Sequence, residues 1–193
     1  MIRALAKSAV VAGAVGMYLH SSKIAQFDGE KISTARHAIC ILYPHQNSET
    51  YGVISFSQDN MISPTKVVAS IRGLNPNSTF GMQLLENGDL SEGPQSLGSS
   101  FNITETESGS QPQKQAFYKH AGDLGAVMSN EKGAGYSAFT NSYIKLFSDT
   151  NIYGRSCAVF SEANDPNTSL NKGTVLAAGV IGRSSTFKNM PPL

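Results

Sequence analysis

The chain has 193 residues, 15 basic against 14 acidic for a formal charge of +1, and is 40% hydrophobic, 15% charged and 8% aromatic. That length can bury a core without disulfide or metal staples, so one domain is the default. Plentiful apolar residues at low net charge exclude a disordered chain, and the absence of a basic excess excludes nucleic acid as a partner. Two cysteines exclude a disulfide-dense scaffold, and their spacing fits no zinc-ribbon or thioredoxin-type motif.

Residues 1–30 differ from the rest. Arg3 and Lys7 precede a small-residue apolar run, Ala9 to Leu19, and no acid occurs before Asp28. A mitochondrial presequence and a secretory signal both fit a basic start with an apolar centre. A retained membrane anchor fits as well. Met1 to Leu19 reaches the length of about 20 residues that a span needs, provided Arg3 and Lys7 snorkel to the interface. Ser8, Ala12 and Gly16 recur at four-residue spacing with Ala9 and Gly13 beside them, a stripe that lets helices approach closely inside a membrane. The three readings stay open here. A retained anchor would place the N-terminus on the positive side and the main domain across the membrane.

From Ala38 onward the pattern is short strands and turns. Candidate strands are Ala38–Tyr43, Tyr51–Ser57, Thr65–Arg72 and Phe80–Glu86. A long polar stretch, Asn87 to Lys119, follows, with Gly88, Gly93, Gly98 and Gly109. A loop of that length in a compact domain is commonly functional or flexible. Strands resume at Ala121–Met128, Tyr136–Phe139, Tyr143–Phe147 and Tyr153–Phe160. A second polar loop, Glu162–Lys172, leads to a last strand, Thr174–Gly182, and an irregular tail ending Met190-Pro191-Pro192-Leu193. About eight short strands with regular turns predict an all-β sandwich or barrel with Greek-key links. The predicted division is a leader or anchor over 1–30, a barrel over 31–184 and a tail over 185–193.

Five ordered blocks resemble copper–zinc superoxide dismutase. Gly81-Met82-Gln83-Leu84-Leu85-Glu86-Asn87-Gly88-Asp89 is similar to the family's Gly-Phe-His-Val-His-Glu-Phe-Gly-Asp. Gly98-Ser99-Ser100-Phe101-Asn102 matches Gly-Pro-His-Phe-Asn, and Lys119-His120-Ala121-Gly122-Asp123-Leu124-Gly125 matches Arg-His-Val-Gly-Asp-Leu-Gly. Ile152-Tyr153-Gly154-Arg155-Ser156 and Ala177-Ala178-Gly179-Val180-Ile181-Gly182 resemble Ile-Ile-Gly-Arg-Thr and Ala-Cys-Gly-Val-Ile-Gly. The resemblance covers about residues 38–184 and implies an eight-stranded Greek-key barrel of superoxide dismutase type.

The resemblance also implies where the chemistry would lie. The copper-ligand positions hold Gln83, Leu85, Ser100 and Phe160. Copper(II) favours several imidazoles, and none stands there. Of the zinc set, His120 and Asp123 match, while the intervening histidine falls within Ser110–Gln113, which contains none. Zinc generally takes three or more protein ligands, so a hydrogen bond that orders the loop is the simpler expectation for this pair. The disulfide positions hold Pro94 and Ala178, and the position of the guiding arginine holds Val175.

Other constellations are weaker. His20 belongs to the leader, and His37 and His45 flank the first strand. Cys40 and Cys157 sit in apolar contexts suited to buried thiols; a bridge between them requires Cα atoms within about 7 Å. No nucleophile-elbow pattern occurs. Sequons begin at Asn77, Asn102 and Asn167 and matter only in a secreted chain.

The expectation is therefore a barrel that is not an enzyme, holds neither copper nor zinc, and serves as an accessory subunit of a membrane complex such as one of the respiratory chain. The expected place is the mitochondrial inner membrane, with the barrel in the intermembrane space. The expected partners are other protein subunits, through Asn87–Lys119 and Ser184–Leu193, and the membrane, through the N-terminal segment. Homodimerisation is left open. The alternatives are a secreted or lumenal binding protein with its leader cleaved, and a metal-dependent enzyme with an altered site built on His120, Asp123 and either His45 or a neighbouring subunit's residue.

Overall fold

The computed structural model describes residues 35–102, 121–163 and 173–191. The proposed leader or anchor lies outside them, and no helix among the described residues is long and apolar enough to cross a membrane. Eight strands form: β1 (Arg36–Pro44), β2 (Tyr51–Gln58), β3 (Thr65–Arg72), β4 (Thr79–Leu85), β5 (Asp123–Met128), β6 (Gly135–Asn141), β7 (Ser156–Phe160) and β8 (Val175–Ser184). One 3₁₀ turn, Gly93–Leu97, interrupts the long polar stretch.

Every pairing is antiparallel, in the order β5-β4-β7-β8-β1-β2-β3-β6. The crossovers that bring β4 beside β7, β8 beside β1 and β3 beside β6 are the predicted Greek-key links. An isolated Ser129–Gly135 bridge ties the two edge strands at one end, so the sheet is nearly closed and its edges are short. Strand β1 shows the alternation that a half-exposed strand requires: Ala38, Cys40 and Leu42 are buried, Ile41 and Tyr43 exposed. Strands β4 and β7 do not alternate. All of β7, and every residue of β4 after Thr79, are buried. Both faces of these strands are therefore covered, which is the first structural pointer to the site.

One predicted strand is absent. The apolar–polar alternation of Tyr143–Phe147 is real, and Ile144 and Leu146 are fully buried in the core, but the segment forms no ladder. Side chains satisfy its backbone instead. Asn141 Oδ1 accepts from the Tyr143 and Ile144 amides at 2.7 and 3.0 Å. The buried Gln58 Oε1 accepts from the Leu146 amide at 2.7 Å, Thr65 Oγ1 donates to the Ile144 carbonyl at 2.7 Å, and Arg36 donates to the Leu146 carbonyl at 2.9 Å. Buried backbone groups need partners of some kind, and period two does not say which. The strand expected from Tyr153 begins only at Ser156, because Gly154 holds a φ of 79° in a turn that a side chain would strain.

Candidate functional site

The site implied by the resemblance falls on the outer face of β4, β7 and β8. Alternation sends Met82 and Leu84 into the barrel and Gln83 and Leu85 outward. Gln83 stands opposite Ala158 of β7 and Asp123 of β5, and Leu85 is bridged to Ser100. Phe160 stands opposite Gly81 on one side and Val175 on the other.

The segment after β4 covers this face. The Glu86 amide donates to the Ser99 carbonyl at 3.0 Å, the Asn87 amide to the Leu97 carbonyl at 2.9 Å and the Phe101 amide to the Leu84 carbonyl at 2.9 Å. Ser156 Oγ donates to the Asn87 carbonyl at 2.6 Å. Arg155 donates to the Glu86 carbonyl at 3.1 Å and lies 4.0 Å over the Phe101 ring. At the exposed tip, hydrogen bonds from Ser91 hold the Asp89 carboxyl below its ordinary value. These bonds press Leu97, fully buried, onto the sheet.

The result is a small apolar cluster of Leu85, Leu97, Ala158, Phe160 and Ala178, with Val175 packed against it. Two of the four positions assigned to copper ligands, Leu85 and Phe160, thus meet in one place, together with the positions of the guiding arginine and of one disulfide partner. Gln83 is buried on the same face. Ser100 adds a buried hydroxyl with no hydrogen-bond partner among the described residues. Pro94 and Ala178, the disulfide positions, line one pocket of about 180 Å³ with Tyr43, Pro44, His45 and Leu90. His45 belongs to that pocket, and Gly93 leaves room for its ring.

The two zinc-type positions part at the edge of the described residues. Asp123 opens β5, is buried, and accepts from the Gly125 amide at 2.8 Å. This bond orders the turn and does not test the hydrogen bond expected between His120 and Asp123. His120 lies outside the described residues. Among the described residues no three His, Cys, Asp or Glu side chains group as a metal would require. Sequence reasoning missed Leu97, the keystone of the cluster. The signal available was weak, because Leu97 is one of several large apolar residues, Leu90, Phe101 and Ile103 among them, scattered through that polar stretch. His37, in β1, has a buried Nδ1 without a partner among the described residues and stacks on Phe187 of the tail at 6.4 Å.

An eight-stranded antiparallel Greek-key barrel with a covered outer layer over β4, β7 and β8 is the architecture expected from the sequence blocks. The sequence pattern of copper/zinc superoxide dismutase (SODC) matches residues 50–181, and the chain belongs to that family. Among its relatives, the Superoxide dismutase (Cu-Zn) of Saccharomyces cerevisiae is 34% identical over 139 residues, 68% of this chain and 88% of the relative. That of Cryptococcus neoformans is 29% identical over 146 residues, 72% and 93% of the two chains. Superoxide dismutase (Cu-Zn) 5 of Dictyostelium discoideum is 30% identical over 155 residues, 76% and 97%.

These relatives correct two expectations. Proteins this similar over most of the chain are named as an enzyme, so the expectation that the chain is not an enzyme does not stand. Their names carry copper and zinc, so the expectation of no cofactor does not stand either. The physical reason is one of scope. Substitutions at a few ligand positions establish what those positions cannot donate, and say nothing of donors in 103–120, where His120 lies. The donors that are described do not fit copper at the positions the resemblance assigns. Leu85 and Phe160 carry no lone pair, and Gln83 and Ser100 supply an amide and a hydroxyl where copper(II) favours imidazole.

Proposed function

We propose that this superoxide dismutase-family barrel works through its surface, as an accessory subunit of a membrane protein assembly. The proposed place is the mitochondrial inner membrane, with the barrel facing the intermembrane space and other subunits as partners. The observation in support is the apolar packing of Leu85, Leu97, Ala158 and Phe160 in the outer layer. That layer is sealed by hydrogen bonds and spends its volume on rigidity, and rigid scaffolds present loops for binding. The basic, acid-free start of the chain and its small-residue stripe favour a membrane location.

The family's own activity, superoxide dismutation, is the second reading, and the named relatives favour it. One experiment separates the two. The C-terminally tagged chain is solubilised from membranes in mild detergent and run on a native gel; co-migrating proteins, bound copper and zinc, and dismutation in the same band are all measured. Migration within a large complex supports the accessory role. Migration only as a free one- or two-barrel species overturns it, and copper, zinc and dismutation in the band report on the family's own activity independently of that outcome.

A further inference from the structure

The outward face of β1, β2 and β3 is covered at one end and open at the other. Ile54 and Phe56 belong to the core, so alternation turns Val53, Ser55 and Ser57 outward. Ser55 is nevertheless fully buried, because the tail crosses over it: the Lys188 amide donates to Ser55 Oγ at 3.1 Å. Phe187 stacks on His37 in the same stretch. Met190 brings the tail to the next row, where Ile41 stands opposite Val53 and Val53 opposite Ser70. At this end Ile41, Tyr43 and Tyr51 are exposed.

Two cavities lie along the open end. The first, about 380 Å³, is walled by Ile41, Tyr43, Pro44, Val53 and Met190. The second, about 620 Å³, is lined by Glu49, Asn130 and Lys132. Tyr51 and Arg72, which stand opposite each other in the β2–β3 ladder, line both. The two are therefore one trough, apolar at one end and charged at the other. Among the described residues the Arg72 guanidinium and the Lys132 ammonium have no ion pair and no hydrogen bond. Glu49 is the one acid among the described lining residues, so the charged end is positive.

The chemistry of the trough selects its occupant. Strands β1, β2 and β3 are interior strands, paired on both sides, so a peptide cannot add to the sheet there. A wall of aliphatic, thioether and phenol side chains beside two unpaired cations suits a molecule that is apolar along its length and anionic at one end. Burial of each methylene against that wall is favourable, and a carboxylate accepts charge-assisted hydrogen bonds from Arg and Lys. We propose that the trough binds a free, single-chain anionic amphiphile of the fatty-acid class. Its alkyl chain lies between Met190 and the β1–β2 face, and its carboxylate sits at Arg72 and Lys132. The volumes fall in the range of small-ligand pockets, about 300–1,000 Å³, which fits one such molecule and not a bilayer.

The test uses the full chain, with dodecanoic acid carrying a photoreactive diazirine near its methyl end as the probe. After irradiation, peptide mapping is expected to find saturable labelling in the peptides holding Ile41–Pro44, Tyr51–Val53 or Met190. Labelling of the apolar run Ala9–Leu19 serves as the reference for unspecific partition. Plain dodecanoate should displace the probe from the trough. Dodecyltrimethylammonium, with the same chain and the opposite charge, should displace it at least about 10-fold less well. The double variant Arg72→Gln/Lys132→Gln should lose about 10-fold in labelling at limiting probe. Both side chains are exposed, so an unmoved thermal midpoint verifies that the variant is folded. Unsaturable labelling, equal displacement by the two amphiphiles, or a folded double variant that labels as well as the unsubstituted chain would each overturn the proposal. Stronger labelling of the same peptides from phosphatidylglycerol vesicles with the diazirine on a lipid chain would also overturn it, and would assign this face to a membrane surface.

Discussion

Strands β4 and β7 are buried on two sides by two different layers. Inward, Met82, Leu84, Cys157 and Val159 join a core that also draws on β1, β2, β3, β5 and β8. Outward, among the described residues, Leu85, Ala158 and Phe160 cluster with Leu97, Ala178 and Val175. The inner layer is enclosed by the whole barrel. The outer one is held by a single 3₁₀ turn and the segment that carries it. In the resemblance, fold-defining residues fill the inner layer and chemistry fills the outer one. Here both layers are apolar, yet they remain distinct in what they depend on, and mutations are expected to separate them.

The largest effect is expected at the centre of the inner layer. Phe56 is fully buried, and Phe56→Ala should cost about 3–5 kcal/mol, transfer and cavity terms together. A shift of the denaturant midpoint at unchanged slope measures it. Leu97 is as fully buried but sits in the outer layer, where the covering segment can relax into the space. Leu97→Ala should cost about 2–3 kcal/mol. Hydrogen exchange should show the division directly. The Asn87 and Phe101 amides, which bond to Leu97 and Leu84, should open faster in Leu97→Ala while those of β1–β3 keep their protection. If all amides accelerate together, the two layers are one cooperative unit and the contrast fails.

A third substitution probes how the inner layer tolerates a segment without a ladder. Gln58 is fully buried; its Nε2 donates to the Ser63 carbonyl at 2.8 Å while its Oε1 receives the Leu146 amide. Gln58→Leu keeps the volume and strands both backbone groups, at about 1–3 kcal/mol for each group left unsatisfied. A stability unchanged by this substitution would mean that the Leu146 amide has another partner.

This segment also marks the limit of what the sequence discloses. The strands around it were legible because β1 alternates and β7 and β8 run apolar, and the family blocks set their order. Ile144 and Leu146 were legible as buried but not as irregular, since the partners that replace a ladder, Gln58, Thr65 and Arg36, lie far away in the chain. For the site, Gln83, Leu85, Ser100 and Phe160 could be placed from the blocks, whereas the bond expected between Asp123 and His120 involves a residue outside those described. The inference that ran too far was from these positions to the absence of an enzyme and of cofactors, because ligand loss at named positions was treated as loss everywhere. Cys40 and Cys157 were legible as buried thiols from their apolar contexts, and both are buried and free.

The smallest expected effect lies at the rim of the inner layer, where β1 meets the Tyr153 turn. Tyr153 donates its hydroxyl to the His37 carbonyl at 3.2 Å, and the Arg183 guanidinium sits 5.0 Å over its ring. Burial raises the phenol above its ordinary value, with Arg183 and then Arg36 pulling the other way. The folded state therefore binds the phenolic proton more tightly than the unfolded chain does. The resulting stability is complete below the unfolded value of about 10 and is lost as pH rises through the folded value. Tyr153→Phe should consequently weaken the protein slightly at neutral pH, by about 0.5–1.5 kcal/mol for the hydrogen bond, and should flatten the decline in stability on the alkaline side. Unfolding free energies of the two proteins measured in parallel from neutral to strongly alkaline pH give the difference in slope, in which contributions from the other tyrosines and the lysines cancel. Parallel curves would mean that the Tyr153 proton is held no more tightly in the barrel than in the unfolded chain, and that this corner contributes packing without proton linkage.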